Sequence, residues 1–289
     1  MICTLCPRRC GALRTAENGN GFCRMPETPV VARAMLHLWE EPCISGSNGS
    51  GAVFFSGCVL GCVFCQNGKI SRERLGKPIS AGRLREIFQE LIAQGAHNIN
   101  LVSPTPFVPA ILEALEPPLP VPVVWNSGGY ERIETLRTLE NRVQIWLPDF
   151  KYGDNALAQR WSGAEDYFET AAAAILEMYR QSGDCVLENG LLQRGVVIRH
   201  LLLPGGLNNA KAVMDWVAKV FRPGQVLFSL MSQYTPQPGA EGLLSRRVTA
   251  GEYRAALTYM ENLGITGGYC QDSSSAREEY TPEFDLRGV

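Results

Sequence analysis

The 289-residue sequence has no surplus of either charge: 27 Lys and Arg stand against 29 Asp and Glu, a net charge of −2 with the three His neutral. Without a basic surplus there is no electrostatic reason to expect a phosphate backbone as partner, so nucleic acid is set aside. There is no apolar run approaching the ~18 residues of a membrane span, and Met1 to Cys10 lack the apolar centre of a secretory signal. No membrane partner is expected, and the expected location is cytoplasmic. Internal repeats and low-complexity tracts are also missing. What is present is a globular composition, 45% hydrophobic, enough to bury a core in one large domain or one domain with a small appendage.

Cysteine, by contrast, is plentiful, with ten residues. In a chain of this length with no export signal these thiols should stay reduced, and a disulfide scaffold belongs to much smaller secreted domains. Seven of the ten fall in two groups: Cys3, Cys6, Cys10 and Cys23, and then Cys58, Cys62 and Cys65. Clustered thiols of this kind point to metal. Cys43, Cys185 and Cys270 stand alone, and no role is assigned to Cys43.

Residues 1–50 carry no sustained helical or strand period and are rich in Gly, Pro and Ser, so they are expected to form an irregular cysteine-bearing cap. From residue 51 to 289 short apolar runs alternate with amphipathic stretches, the pattern of βα units around a parallel sheet. Six runs, at 52–55, 99–102, 121–125, 143–147, 196–203 and 226–231, are continuous rather than alternating, as strands covered on both faces require. Leu84, Ile87, Phe88, Leu91 and Ile92 follow a helical spacing, with Ser80 placed to cap the start and Gly95 just past the end. Val213, Trp216, Val217, Val220 and Phe221 repeat that spacing, and Thr249 to Glu252 has the spacing of a capping box. The class is therefore α/β, with an open sheet and an incomplete barrel both compatible. In either, ligands gather where strands end and the following loops begin.

At the end of the first run the chain reads Phe54-Phe55-Ser56-Gly57-Cys58-Val59-Leu60-Gly61-Cys62-Val63-Phe64-Cys65-Gln66-Asn67. Three thiolates on one loop, with no fourth Cys or His close by, can hold three irons of a 4Fe-4S cluster and leave one iron open to a substrate. A structural zinc would need a distant fourth ligand such as Cys43 or Cys270. Cys3, Cys6, Cys10 and Cys23 supply four thiolates, enough for a closed centre: a second iron-sulfur cluster or zinc, unless they are ordinary reduced thiols.

The C-x3-C-x2-C loop after a strand, with Phe64 before the third Cys, resembles the radical S-adenosylmethionine superfamily. Within it the chain is similar to the pyruvate formate-lyase activating enzyme branch, in particular to its activating-enzyme-like iron-sulfur relative. The likeness runs through Cys3-x2-Cys6-Pro7-Arg8-x-Cys10, Glu40-Glu41-Pro42, Cys65-Gln66-Asn67, Gly95-Ala96-His97-Asn98, Leu147-Pro148-Asp149-Phe150-Lys151-Tyr152, Arg199-His200 and Met231-Ser232-Gln233-Tyr234. It implies a (β/α)6 partial TIM barrel and an oxidoreductase in which a reduced cluster cleaves S-adenosyl-L-methionine to a 5'-deoxyadenosyl radical that abstracts hydrogen. It implies a one-electron reductant of the flavodoxin or ferredoxin type and, in this branch, a protein or peptide substrate. A small-molecule substrate and a non-catalytic iron-sulfur electron carrier are the alternatives.

The resemblance also implies cofactor contacts. The branch carries Gly-Gly-Glu at the end of its second strand, whereas this sequence has Ser103-Pro104-Thr105-Pro106, so the hydroxyls of Ser103 and Thr105 are candidates in place of the carboxylate. Asp149 and Lys151, two apart on a strand end, share one side and suit a zwitterion. Arg199 interrupts an apolar run, where a charge must be paired, and the cofactor carboxylate is the expected partner, with a structural ion pair as the alternative. Asn126 and Ser127 at the end of the third run and Gln233 after the sixth complete the candidates. His97, Asn98 and His200 are expected to hold backbone or core rather than ligand.

Overall fold

The continuous apolar runs become strands buried on both faces. In the computed structural model, which describes residues 2–270 and 282–289, ten strands are seen: β1 Val30–His37, β2 Ser50–Phe55, β3 Lys77–Pro78, β4 Ile99–Val102, β5 Val123–Ser127, β6 Ile145–Pro148, β7 Val186–Glu188, β8 Leu191–Leu201, β9 Leu227–Met231 and β10 Gly268–Cys270. Every residue of β2, β4, β5, β6 and β9 is buried, as strands between a helical layer and a filled interior must be. The order across the sheet is β10-β9-β8-β6-β5-β4-β2-β1-β3, with β7 paired to β8. From β2 through β10 along this path every pairing is parallel. β1 is antiparallel to both β2 and β3.

The helix at Ala81–Ala93 starts where expected, with the Ser80 side chain accepting from Arg83 N–H, and buries Leu84, Ile87, Phe88 and Leu91. The capping box at Thr249 and Glu252 is formed at the start of Ala250–Asn262. Asn98 and His97 hold backbone: Asn98 Nδ2 donates to Ile44 O at 2.7 Å, and Asn48 N–H donates to His97 Nε2 at 3.1 Å. His200 is buried with Nδ1 2.7 Å from Phe150 O, and its pKa is pushed down to about 4 by burial.

The stretch expected to be irregular differs in two respects: Pro42–Ser45 form a single helical turn, and residues 30–37 form β1, which extends the sheet beside β2 and so bridges residue 50. The period was obscured because β1 is buried on parts of both faces and is bulged between Val31 and Arg33, so no strict alternation survives. The residues before β1 form the local bridges Ile2 to Leu13 and Arg14 to Gly19, and Ile79 N–H donates to Pro29 O at 2.9 Å. They are fastened to the rest by side chains, with Thr135 Oγ1 donating to Leu5 O at 2.8 Å and Arg132 Nη1 to Thr4 O at 2.9 Å. Among the described residues no helix is long and apolar enough to cross a membrane.

Candidate functional site

The C-terminal ends of β2, β4, β5, β6, β8 and β9 converge on a cavity of about 190 Å³. Cys58, Cys62 and Cys65 line one part of it, and Ser103, Asn126, Ser127, Asp149, Lys151, Arg199 and Gln233 line others. Chain positions as far apart as 58 and 233 thus meet, because parallel strands deliver the ends of all six units to one side.

The thiol loop is built to hold one shape. It follows Gly57, whose φ of +75° is open to glycine and whose missing Cβ would stand 2.3 Å from Met25 Cγ. Phe64 is buried edge-on against Tyr152 and Trp161, with ring centroids 6.3 Å away in both cases. Arg72 Nη1 donates to Cys62 O at 2.8 Å. Each sulfur also receives a hydrogen bond: Leu60 N–H to Cys58 Sγ at 3.3 Å, Ser162 Oγ to Cys62 Sγ at 2.9 Å and Ser71 Oγ to Cys65 Sγ at 3.4 Å. Such bonds stabilise thiolate character and tune a bound cluster. Burial pushes the Cys58 thiol up to about 12, with Cys62 and Cys65 nearby adding to it, and burial also raises Cys62 against the pull of Lys151. Bound metal would therefore displace protons from this loop.

Across the cavity runs a continuous charged network. Arg199 donates from Nε to Asp149 Oδ1 at 2.9 Å, from Nη1 to Glu40 Oε2 at 3.0 Å and from Nη2 to Asn126 Oδ1 at 2.7 Å. Asn126 Nδ2 donates to Glu40 Oε1 at 3.2 Å, and Lys151 Nζ to Asp149 Oδ2 at 2.6 Å. Burial opposes the charge on Lys151, but Asp149, joined by Cys62 in its thiolate form, outweighs it and holds its pKa above the ordinary range. Burial likewise opposes ionisation of Asp149, and Arg199 and Lys151 outweigh it, so the carboxyl stays ionised.

This geometry bears on three expectations. Arg199 gives three of its five N–H donors to Asp149, Glu40 and Asn126, forming the structural ion pair that is the alternative expectation, and it still lines the cavity. Asn126 has both ends of its amide engaged in the same network. Thr105 is not at the cavity: it is buried, and its Oγ1 donates to Glu131 Oε1 at 2.6 Å. Ser103 does line the cavity and has a φ of +57°, a left-handed conformation unusual for a residue with a side chain. Glu40, Ser71 and Ser162 were missed. Glu40 was visible only as part of a likeness, and nothing in local spacing reveals that a residue 159 positions from Arg199 completes its charge pairing.

The four amino-terminal thiols meet in a second, smaller cavity, lined by Cys3, Cys6, Cys10 and Cys23 with Arg8, Arg14, Phe22, Met25 and Val59. Val59 belongs to the first thiol loop, so the two sites share a wall. Arg8 fastens them together: Nε donates to Val59 O at 2.8 Å, Nη2 to Ser162 O at 2.7 Å and Nη1 to Gly163 O, while its guanidinium lies 3.9 Å over the Phe22 ring. Arg14 Nη1 lies 3.6 Å from Cys3 Sγ. Among the described residues no three Cys, His, Asp or Glu side chains close on a single ion position. In a cluster each thiolate takes its own iron, so a cluster requires sulfurs around a common cavity rather than at one shared point, and each thiol set lines one cavity.

The fold and site define a mixed α/β protein with thiols at the strand ends, and comparison with solved structures agrees on the fold. Methylornithine synthase superposes with a TM-score of 0.50 at 13% identity, covering 74% of this chain and 68% of that one. SuiB of Streptococcus suis gives a TM-score of 0.49 at 11% identity, covering 75% of this chain, which spans about half of SuiB, 47%. No model of a known protein family matches the sequence. The chain is 31% identical over 277 residues, 91% of its length and 75% of the relative's, to the uncharacterized protein MJ0674 of Methanocaldococcus jannaschii, and it belongs to the family of that protein.

Proposed function

We propose that this chain is a radical S-adenosylmethionine enzyme of the activating-enzyme kind, with a 4Fe-4S cluster on Cys58, Cys62 and Cys65 and a protein or peptide as substrate. The observation that carries the reading is the meeting of that three-thiol loop with Asp149, Lys151, Ser127 and Gln233 in one cavity at the strand ends. An electron carrier has no use for an incomplete ligand set facing a polar cavity. The six parallel strands β2, β4, β5, β6, β8 and β9 are read as the partial barrel.

When bound, the cluster and S-adenosyl-L-methionine together supply one-electron cleavage to a hydrogen-abstracting 5'-deoxyadenosyl radical, drawing on a reductant of the flavodoxin or ferredoxin type. The protein's share is binding and exclusion of water. Lys151 spends one of its three N–H donors on Asp149 and keeps two for a cofactor carboxylate, while Ser103, Ser127 and Gln233 offer neutral polar contacts. Arg199, Glu40 and Asn126 fix Asp149 in place behind them. Cys3, Cys6, Cys10 and Cys23 are assigned a second centre, an iron-sulfur cluster or zinc, which fastens the cap against the first loop or relays electrons to it.

The test is anaerobic reconstitution with iron and sulfide, then incubation with dithionite and S-adenosyl-L-methionine, with 5'-deoxyadenosine measured by chromatography. Production that disappears when Cys58, Cys62 and Cys65 are replaced by Ala is the expected result. A cluster-loaded protein that cycles electrons without ever yielding 5'-deoxyadenosine would instead be a carrier.

A further inference from the structure

β1 lies near one edge of the sheet, with only the two-residue β3 beyond its start. Further along β1 the outer edge is taken by the chain's own carboxy-terminal segment, residues 282–289. Leu286 N–H donates to Ala32 O at 3.0 Å, and Ala34 N–H donates to Arg287 O at 3.0 Å. From the same strand, Arg33 Nη1 donates to Glu283 O at 2.5 Å and pairs with Asp285 Oδ1 at 2.8 Å. Phe284 meets Phe54 edge-on at 5.6 Å and joins the small apolar cluster of Ala32, Ala52, Phe54, Ile70 and Val102. Pro282 lines the strand-end cavity together with the three thiols. The approach is close: a Cβ on Gly288 would stand 2.3 Å from Ala34 O.

Yet most of the segment is exposed. Glu283, Asp285, Leu286, Arg287 and Gly288 are exposed, and only Pro282, Phe284 and Val289 are partly covered. Among the described residues its holds on the rest of the chain are two edge hydrogen bonds, the Arg33 and Lys77 bonds to Glu283 O and Val289 O, one ion pair, the half-buried Phe284 ring and the packing of Val289, and a segment so attached opens at a fraction of the cost of global unfolding.

We propose that this edge of β1 is the docking track for an extended substrate peptide, which places an aromatic side chain against Phe54 and a following carboxylate on Arg33, and that residues 282–289 occupy the track as an intramolecular competitor. The proposal rests on the reading of the site as one that acts on protein or peptide. Edge pairing supplies affinity through main-chain groups whatever the sequence, and the ring and carboxylate supply selectivity. The direction is productive, because the position two before the ring, held here by Pro282, already lines the cavity. A tethered competitor acts at an effective concentration of order millimolar, so an incoming peptide succeeds only at comparable concentration or with contacts beyond those of the tail.

The probe is a fluorescent octapeptide with the sequence of residues 282–289. It is titrated into reconstituted wild type, into a full-length Phe284→Ala, Asp285→Ala variant, and into a chain ending at residue 281, each verified as folded by circular dichroism. Hydrogen exchange over residues 30–37 is measured in parallel. The expected results are binding at least ten-fold tighter to both variants than to wild type, β1 amides that exchange faster in the variants and slow again with peptide, and no rescue by a peptide carrying Ala in place of its Phe. No saturable binding to either folded variant, equal binding to all three proteins, or unchanged exchange in the double variant would each overturn the proposal. None of these measurements depends on cleavage of S-adenosyl-L-methionine. Peptide binding without 5'-deoxyadenosine formation would therefore remove the enzymatic reading and leave the track, and the reverse result would remove the track alone.

Discussion

Replacing Arg199 by Ala should destabilise the fold by about 3–5 kcal/mol, the usual cost of breaking a buried charge pair from one side. The side chains involved are well covered, with Arg199 at 13% exposure, Glu40 at 10% and Asp149 at 17%. Glu40, Asp149, Arg199 and Lys151 together carry no net charge, and removing the guanidinium leaves an excess carboxylate inside. The two carboxylates do not suffer equally. Asp149 keeps Lys151 Nζ at 2.6 Å, whereas Glu40 keeps, among the described residues, the neutral Asn126 amide at 3.2 Å. Most of the loss therefore sits at Glu40, and an Arg199→Met, Glu40→Gln double variant, again neutral, should recover more than half of it. Arg199→Lys should fall between, because a single ammonium cannot reach three partners arranged around a planar fork. Thermal unfolding of the metal-free protein, followed by circular dichroism, reads this as a fall in Tm of roughly 6–15 °C for Arg199→Ala. An Arg199→Ala variant within 1 kcal/mol of wild type, or a double variant no more stable than the single one, would refute the network as the main role of this residue.

The Cys58→Ala, Cys62→Ala, Cys65→Ala variant should lose one cluster's iron and sulfide yet keep the metal bound by Cys3, Cys6, Cys10 and Cys23, and colorimetric iron and sulfide assays check this against a variant lacking the latter four. Arg8→Ala should cost about 2 kcal/mol, as expected for loss of charge-assisted hydrogen bonds, and should speed hydrogen exchange in the thiol loop as well as in the cap, whereas a purely local role would spare the loop. Glu131 predicts a pH dependence. Burial raises its carboxyl to about 7 against an ordinary value of 4.5, so its stabilising contribution is full below about pH 4.5 and is lost as pH rises through about 7. Glu131→Gln should match wild type near pH 4 and exceed it by about 3 kcal/mol at pH 8, at 1.36 kcal/mol per pKa unit, in urea denaturation at the two pH values. A constant difference would show that the carboxyl is not titrating in this range.

Local pattern was enough for the six parallel strands, because a strand covered on both faces is apolar at most positions, as 99–102 and 227–231 are apart from the buried Asn100 and Ser229. It was enough for the helix caps, since Ser80 and Thr249 act on backbone three residues away. It also placed Cys58, Cys62, Cys65, Asp149, Lys151 and Gln233 at strand ends, where parallel topology then gathers them. Contacts between distant parts of the chain required the tertiary structure. β1 is defined by its pairing with β2 and carries a bulge, so its period is broken. Thr105 and Ser103 look alike in sequence, but one turns inward to a buried Glu131 and the other faces the cavity. The joining of the two thiol sites through Arg8, and of Arg199 to Glu40, depends on side chains that reach across 51 and 159 residues. Hydrogen bonds and ion pairs act over about 3 Å in space, and separation along the chain does not encode that distance.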